Sequence, residues 1–244
     1  MRLLVFQHIP VEHPGIFRDF LAADGHEWQA VELDAGEAIP DLGDFDMLWV
    51  MGGPMDTWQE DAYPWLVDEK RAIREAVVEH GMPFLGFCLG AQLLADALGG
   101  EVAAMATPEV GVMDVSLTED GRDDPLFDGF EPNVRCLQWH SYEVRTAPAG
   151  ARVLCHSPLC GNQAFAVGRT AYGIQYHVEL TSQTVPEWGE VPAYREALKQ
   201  SLGPGALEAF DREVAANMPD FNAGAERLYR NFLSLCASPS TSTS

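Results

Sequence analysis

One short segment constrains this chain more than any other: an apolar strand that runs directly into a helix, with a cysteine at the junction. In Phe84-Leu85-Gly86-Phe87-Cys88-Leu89-Gly90-Ala91-Gln92, glycines stand two residues to either side of Cys88. A turn this sharp pushes its central side chain above the sheet, and small neighbours prevent collision with the adjoining elements. The helix N-terminus adds unpaired amides and a field that favours a thiolate. A buried, inert cysteine is the ordinary alternative, since free cysteines are commonly buried.

The surrounding pattern fits an α/β sheet protein. Residues 2–7 read as a central strand, and His13-Pro14-Gly15 opens a helix through Ala23 that Asp24-Gly25 ends. Residues 27–33 form a second strand. The run from Asp44 to Met51 gives a third, which stops at the glycine turn Gly52-Gly53-Pro54. Trp65 to His80 reads as a helix with Trp65, Leu66, Ile73, Ala76 and Val77 inward and Glu69, Lys70, Arg71, Arg74 and Glu75 mostly outward. Gly81 caps it and Pro83 blocks its continuation. A strand over Pro83–Phe87 and a helix over Leu89–Leu98 follow. Repeated strand–helix order implies a mostly parallel sheet covered on both faces.

From about Val110 to Gln175 short strand-like runs dominate: Val112–Leu117, Val134–Trp139, Arg152–Cys155, Ala164–Val167 and Tyr172–Tyr176. They predict an antiparallel extension and a return to the main sheet. Helices are predicted over Val191–Gln200, Ala206–Asn217 and Ala223–Leu235. The expectation is one domain over residues 1–236, with a disordered tail over 237–244 that has nothing to bury.

A partner for Cys88 stands far along the chain, in Tyr172-Gly173-Ile174-Gln175-Tyr176-His177-Val178-Glu179. An imidazole at the end of a strand can take the Cys88 proton and return it to a leaving amine. In extended backbone, residues two apart point the same way. Glu179 then holds the tautomer of His177 and stabilises its charged form.

These blocks resemble the class I, or triad, glutamine amidotransferases. Pro83 to Gly100 matches closely, and the family's Gln-Phe-His-Pro-Glu motif reads Gln175-Tyr176-His177-Val178-Glu179 here. Val178 replaces a rigid spacer but keeps the His–Glu interval. Trp49-Val50-Met51-Gly52-Gly53-Pro54-Met55 resembles the family's glycine loop. Gly53-Pro54-Met55, Tyr63-Pro64-Trp65-Leu66 with Glu69, and Gln138-Trp139-His140 look most like stand-alone members similar to the GMP synthase amidotransferase domain.

The resemblance implies a flavodoxin-like three-layer sandwich with a small antiparallel extension and extra C-terminal helices. It implies Cys88, His177 and Glu179 as the triad and the amides of Gly53 and Leu89 as the oxyanion hole. Two fixed donors there stabilise charge that appears only during attack. It places Pro54, Met55, Gln92, His140, Ser141 and Tyr142 around glutamine or a γ-glutamyl compound, with Glu109 a weaker candidate. No synthetase domain follows about residue 180, which favours a free-standing hydrolase over a glutaminase subunit that feeds ammonia to a synthase partner. A non-catalytic scaffold on the same fold, or a rearranged cysteine chemistry, are the remaining alternatives.

Charge narrows the partners. Lys and Arg total 15 against 37 Asp and Glu, a formal charge of -22. Such a surface repels nucleic acid and anionic membrane. No apolar run approaches the roughly 18 residues of a membrane helix, and the N-terminal run reads as a strand rather than a secretory segment. The five cysteines fit no disulfide framework, which suggests a reducing, cytoplasmic setting. His8, His13, His26, His80 and His156 form no metal-ligand spacing, and no phosphate-binding loop is present, so neither metal nor other cofactor is expected. The six tryptophans read as core or interface, and aromatic content leaves a homodimer open.

Overall fold

The computed structural model describes residues 1–237; the tail predicted over 237–244 lies, apart from its first residue, outside them. Strands β1 (Arg2–Gln7), β2 (Glu27–Glu32), β3 (Met47–Val50), β4 (Phe84–Phe87) and β9 (Ala171–Ile174) form a parallel array in the order β2-β1-β3-β4-β9. The sheet continues antiparallel through β8 (Ala164–Val167), β7 (Arg152–His156), β5 (Glu101–Leu117) and β6 (Asn133–Thr146). This is the expected mixed architecture. The extension is larger than predicted, because β5 and β6 pair along a long ribbon whose outer part is mostly solvated and carries little alternation to read.

Period-two alternation in β1 builds the three layers. Leu3 and Val5 join Phe17 of α1 (Phe17–Ala23) and Tyr229 and Phe232 of α7 (Leu207–Ala237). Leu4 and Phe6 face the opposite layer, with Leu66 and Ile73 of α2 (Trp65–Arg74) and Leu93 of α3 (Leu89–Ala97). The α2 helix is extended by a π-type turn over Glu75–Glu79. A third cluster sits on the root of the ribbon. There Leu137 and Trp139 pack against α5 (Thr184–Trp188), α6 (Pro192–Leu202) and the first half of α7. A short helix, α4 (Glu119–Asp123), follows β5. Among the described residues no helix is long and apolar enough to cross a membrane.

Three expectations need correction. The helices expected over 206–217 and 223–235 are the single helix α7, with Pro219 inside it. Its buried stripe of Phe210, Val214, Phe221, Ala225, Leu228, Tyr229 and Phe232 crosses the proline without a break. Pro219 sits on the exposed side, so packing outweighs the lost hydrogen bond. The first helix begins at Phe17 rather than at His13, because Gly15 takes φ +53°. Glu69, placed on the outer face of α2, is fully buried. A charged side chain tolerates that only with a partner, and Glu69 has one in His8.

Candidate active site

At Cys88 the backbone adopts φ 51° and ψ −106°, and it is the one described non-glycine residue with positive φ. Such a conformation persists only where the surroundings over-determine it. They do so here. The Cys88 N–H donates to the Ile174 carbonyl at 2.8 Å, and the Gly90 N–H donates to Met51 at 3.1 Å. A side chain at Gly90 would lie 2.0 Å from the Val50 carbonyl oxygen, and one at Gly86 would lie 2.5 Å from that of Gly90. The two flanking glycines therefore let α3 descend onto the sheet, and the turn delivers a largely buried Cys88, 8% exposed, to the end of β4.

His177 arrives on the segment after β9. Its backbone exchanges two hydrogen bonds with Leu137 of β6, at 2.9 and 3.0 Å, which fixes the residue across the sheet. Its Nδ1 lies 2.6 Å from Glu179 Oε1, while Glu179 Oε2 accepts the Val178 N–H at 2.9 Å. The Nε2 side faces away from Glu179 and is left for Cys88, which lies near enough to act on the ring's charge. Trp188 closes over the imidazole edge-on, with centroids 4.7 Å apart. Burial alone pushes the His177 pKa down. The Glu179 charge and the hydrogen bonds to Cys88 and Glu179 outweigh burial and hold it well above the ordinary imidazole range. A ring held this way is a strong proton acceptor near the Cys88 thiol.

Gly15 locks this corner from the opposite end of the chain. The Ile16 N–H donates to the Glu179 carbonyl at 2.9 Å, and a Cβ on Gly15 would stand 1.6 Å from that oxygen. Gly15→Ala is expected to cost roughly 3 kcal/mol through strain and overlap and to reduce turnover by displacing Glu179. Chemical unfolding measures the first effect, and an unchanged midpoint would contradict it.

Cys88 opens into a cavity of about 180 Å³, also lined by Gly53, Pro54, Met55, Gln92, His140, Ser141 and Tyr142. The structure thus gathers around one space all the residues singled out as substrate contacts. This space is small beside the roughly 300–1,000 Å³ typical of drug-sized ligands. Gln92, in the first turn of α3, is buried and donates to Gln175 Oε1 at 3.0 Å and to the Tyr142 carbonyl at 3.3 Å. His140 Nδ1 donates to the Tyr142 carbonyl at 2.8 Å, and its Nε2 lies 3.2 Å from Glu109 Oε2. Glu109 does not border the cavity; it stands behind His140, where it also accepts from Ser157 and Gln163. A wider groove of about 750 Å³ beside α2 contains none of these groups.

Several cavity residues escape sequence reasoning. Asp56 lines the space beside Tyr142, and burial raises its pKa against the pull of Tyr142. Ala193, Tyr194 and Ala197 bring α6 across it as a cover. Beneath, Tyr194 donates to the buried carboxylate of Glu12 at 2.5 Å. Burial raises the Glu12 pKa, against the pull of His177 and Tyr194. A motif search does not find these positions, because α6 has only ordinary amphipathic character and Glu12 lies in an irregular turn.

The other thiols have different surroundings. Burial pushes Cys136 and Cys155 well above the usual thiol range and Cys160 and Cys236 up to about 12. Iodoacetamide at neutral pH is expected to label these four after Cys88, because burial holds them in the unreactive protonated form. Peptide mapping of the alkylated protein checks this, and prior labelling at Cys160 or Cys236 would contradict it.

Known proteins place this geometry in a family. The model of the glutamine amidotransferase class-I family matches residues 19–187. The glutamine amidotransferase-like protein YfeJ of Salmonella typhimurium is 31% identical over 234 residues, covering 94% of this chain and 95% of that protein. A glutamine-hydrolyzing GMP synthase subunit from Sulfolobus acidocaldarius is 30% identical over 153 residues, 62% of this chain and 77% of its own length. Among solved structures, a glutamine amidotransferase from Thermotoga maritima superposes with a TM-score of 0.85 at 26% identity, covering 98% of this chain and 99% of the other.

Proposed function

We propose, from the premise that this chain belongs to the class I glutamine amidotransferase family, that it hydrolyses a γ-glutamyl amide through a thioester on Cys88. One observation carries the reading: Cys88 is held at positive φ above the sheet beside an imidazole whose Nδ1 Glu179 fixes at 2.6 Å. His177 Nε2 takes the Cys88 proton, and Sγ attacks the amide carbonyl. The oxyanion lies between the N–H groups of Gly53 and Leu89; among the described residues neither donates to a protein acceptor. His177 returns the proton to the nitrogen as the C–N bond breaks, releasing ammonia or an amine. Water, deprotonated by His177, then cleaves the thioester to glutamate and restores the thiol.

Within this chemistry we favour a free-standing hydrolase. The cavity is covered by α6 from the same chain, and α6 lies beyond the residues that match the family model. The YfeJ relative aligns with 94% of the chain, whereas the GMP synthase relative aligns with 62%. The latter likeness also favours a second reading, in which the ammonia passes to a separate synthase partner.

Ammonia and glutamate release from the purified protein, with glutamine and a panel of γ-glutamyl amides, tests both. Turnover that depends on Cys88 without a partner supports the free-standing enzyme. Glutaminase activity that appears only on adding a synthase supports the second reading. Turnover retained in Cys88→Ala refutes both.

A further inference from the structure

His8 has no place in the chemistry above, yet it is one of the most tightly held side chains in the protein. It is fully buried at the end of β1. Its Nε2 lies 2.9 Å from Glu69 Oε1, and its Nδ1 donates to the Gly52 carbonyl at 2.7 Å. The face of the ring stacks on Trp65, with centroids 5.6 Å apart and planes inclined by 20°. Both ring nitrogens therefore face acceptors, and both are called on to donate. A buried His–Glu pair is a costly arrangement to keep for stability alone.

The carbonyl that His8 grips belongs to the same peptide unit as the Gly53 N–H. That unit is trans, so its C=O and N–H point in opposite directions. Anchoring Gly52 O on His8 turns the Gly53 N–H away from His8, and Gly53 borders the Cys88 cavity. Glycine itself gives this loop little rigidity; its orientation must come from what packs on it. Glu12 presses on the other side, where a Cβ on Gly52 would meet its Oε2 at 2.5 Å.

We propose that His8, held by Glu69, is a positioning residue that aims the Gly53 N–H at the oxyanion formed on attack by Cys88. The inference rests on the reading of Cys88 as the nucleophile and goes beyond it. Here the orientation of the donor is built into this chain by the His8–Glu69 pair beneath the loop. Hydrogen bonding to Gly52 O also polarises the peptide, which makes its N–H a better donor.

The test compares two reactions of the same thiol. Acylation by p-nitrophenyl acetate passes through a tetrahedral oxyanion; alkylation by iodoacetamide does not. Wild type, His8→Gln and His8→Asn are compared, with Cys88→Ala as the blank. The Gln side chain reaches toward Glu69 but loses the donor to Gly52, whereas the Asn amide nitrogen replaces Nδ1. In His8→Gln the acylation burst should slow by about 10- to 100-fold, below the 10²–10³ of losing an oxyanion donor outright. Alkylation should be unchanged, and His8→Asn should recover most of the acylation rate. Acylation and alkylation falling together, or acylation unaffected in His8→Gln, would overturn the proposal. Wild-type protein that reacts no faster than the Cys88→Ala blank would instead refute Cys88 as the nucleophile.

Discussion

Replacing Cys88 by alanine is expected to lower γ-amide hydrolysis by roughly 10⁶-fold, and replacing His177 by alanine should cost about as much. The double variant should be no worse than either single one. The reason lies in the proposed proton transfer between them: the imidazole stands beside the thiol, and on that reading neither group does useful work without the other. Residual hydrolysis in the double variant then reports what the cavity and the proposed oxyanion donors, the amides of Gly53 and Leu89, achieve by binding alone. Measured kcat values for the three proteins decide the matter. Losses that multiply in the double variant would mean that the two side chains act independently, and the proposed proton transfer would fall.

The second large effect is expected at Glu179→Gln, with a fall in kcat of about 10⁴-fold. The size follows from which atom goes where. The Val178 N–H points at Oε2, so the glutamine amide must set its oxygen there and its NH₂ toward His177 Nδ1. That forces Nδ1 to accept and moves the ring proton to Nε2, the nitrogen that should take the Cys88 proton. The variant keeps shape and packing but offers the wrong tautomer. It also removes the charge that raises the His177 pKa, so the ring should titrate lower. Imidazole ¹⁵N chemical shifts read the tautomer and the titration directly. Wild-type kcat in Glu179→Gln would show that Glu179 plays no orienting part.

The parts of this molecule that were legible in the sequence are those where backbone geometry dictates residue type. The parallel half is punctuated by Gly25, Gly52-Gly53, Gly81 and Gly99-Gly100, and its strands fall close to where those breaks place them. The cysteine turn was legible because the descent of α3 requires glycine at 86 and 90. His177 and Glu179 were legible because side chains two apart share a face. What stayed hidden depends on contacts between distant segments. Glu69 looks like one charge among several on the outside of α2, and only its meeting with His8, 61 residues earlier, explains why it is buried. The Tyr194–Glu12 bond spans 182 residues. The long helix α7 was divided at Pro219 because local propensity cannot see the stripe that carries it through.

The placement of β9 beside β4 has a consequence for how the chain comes to life. The strand that anchors the Cys88 amide and leads to His177 is contributed by residues 171–174, more than eighty positions after the thiol it serves. Pairing over such a distance is slow to form, because chain entropy must be spent before the contact gives anything back. During synthesis β4 and α3 emerge with one sheet edge open and no base beside the cysteine. The proposed nucleophile therefore meets its proposed base late, once the N-terminal strands have a partner to close on, and on that reading a half-made chain is inactive.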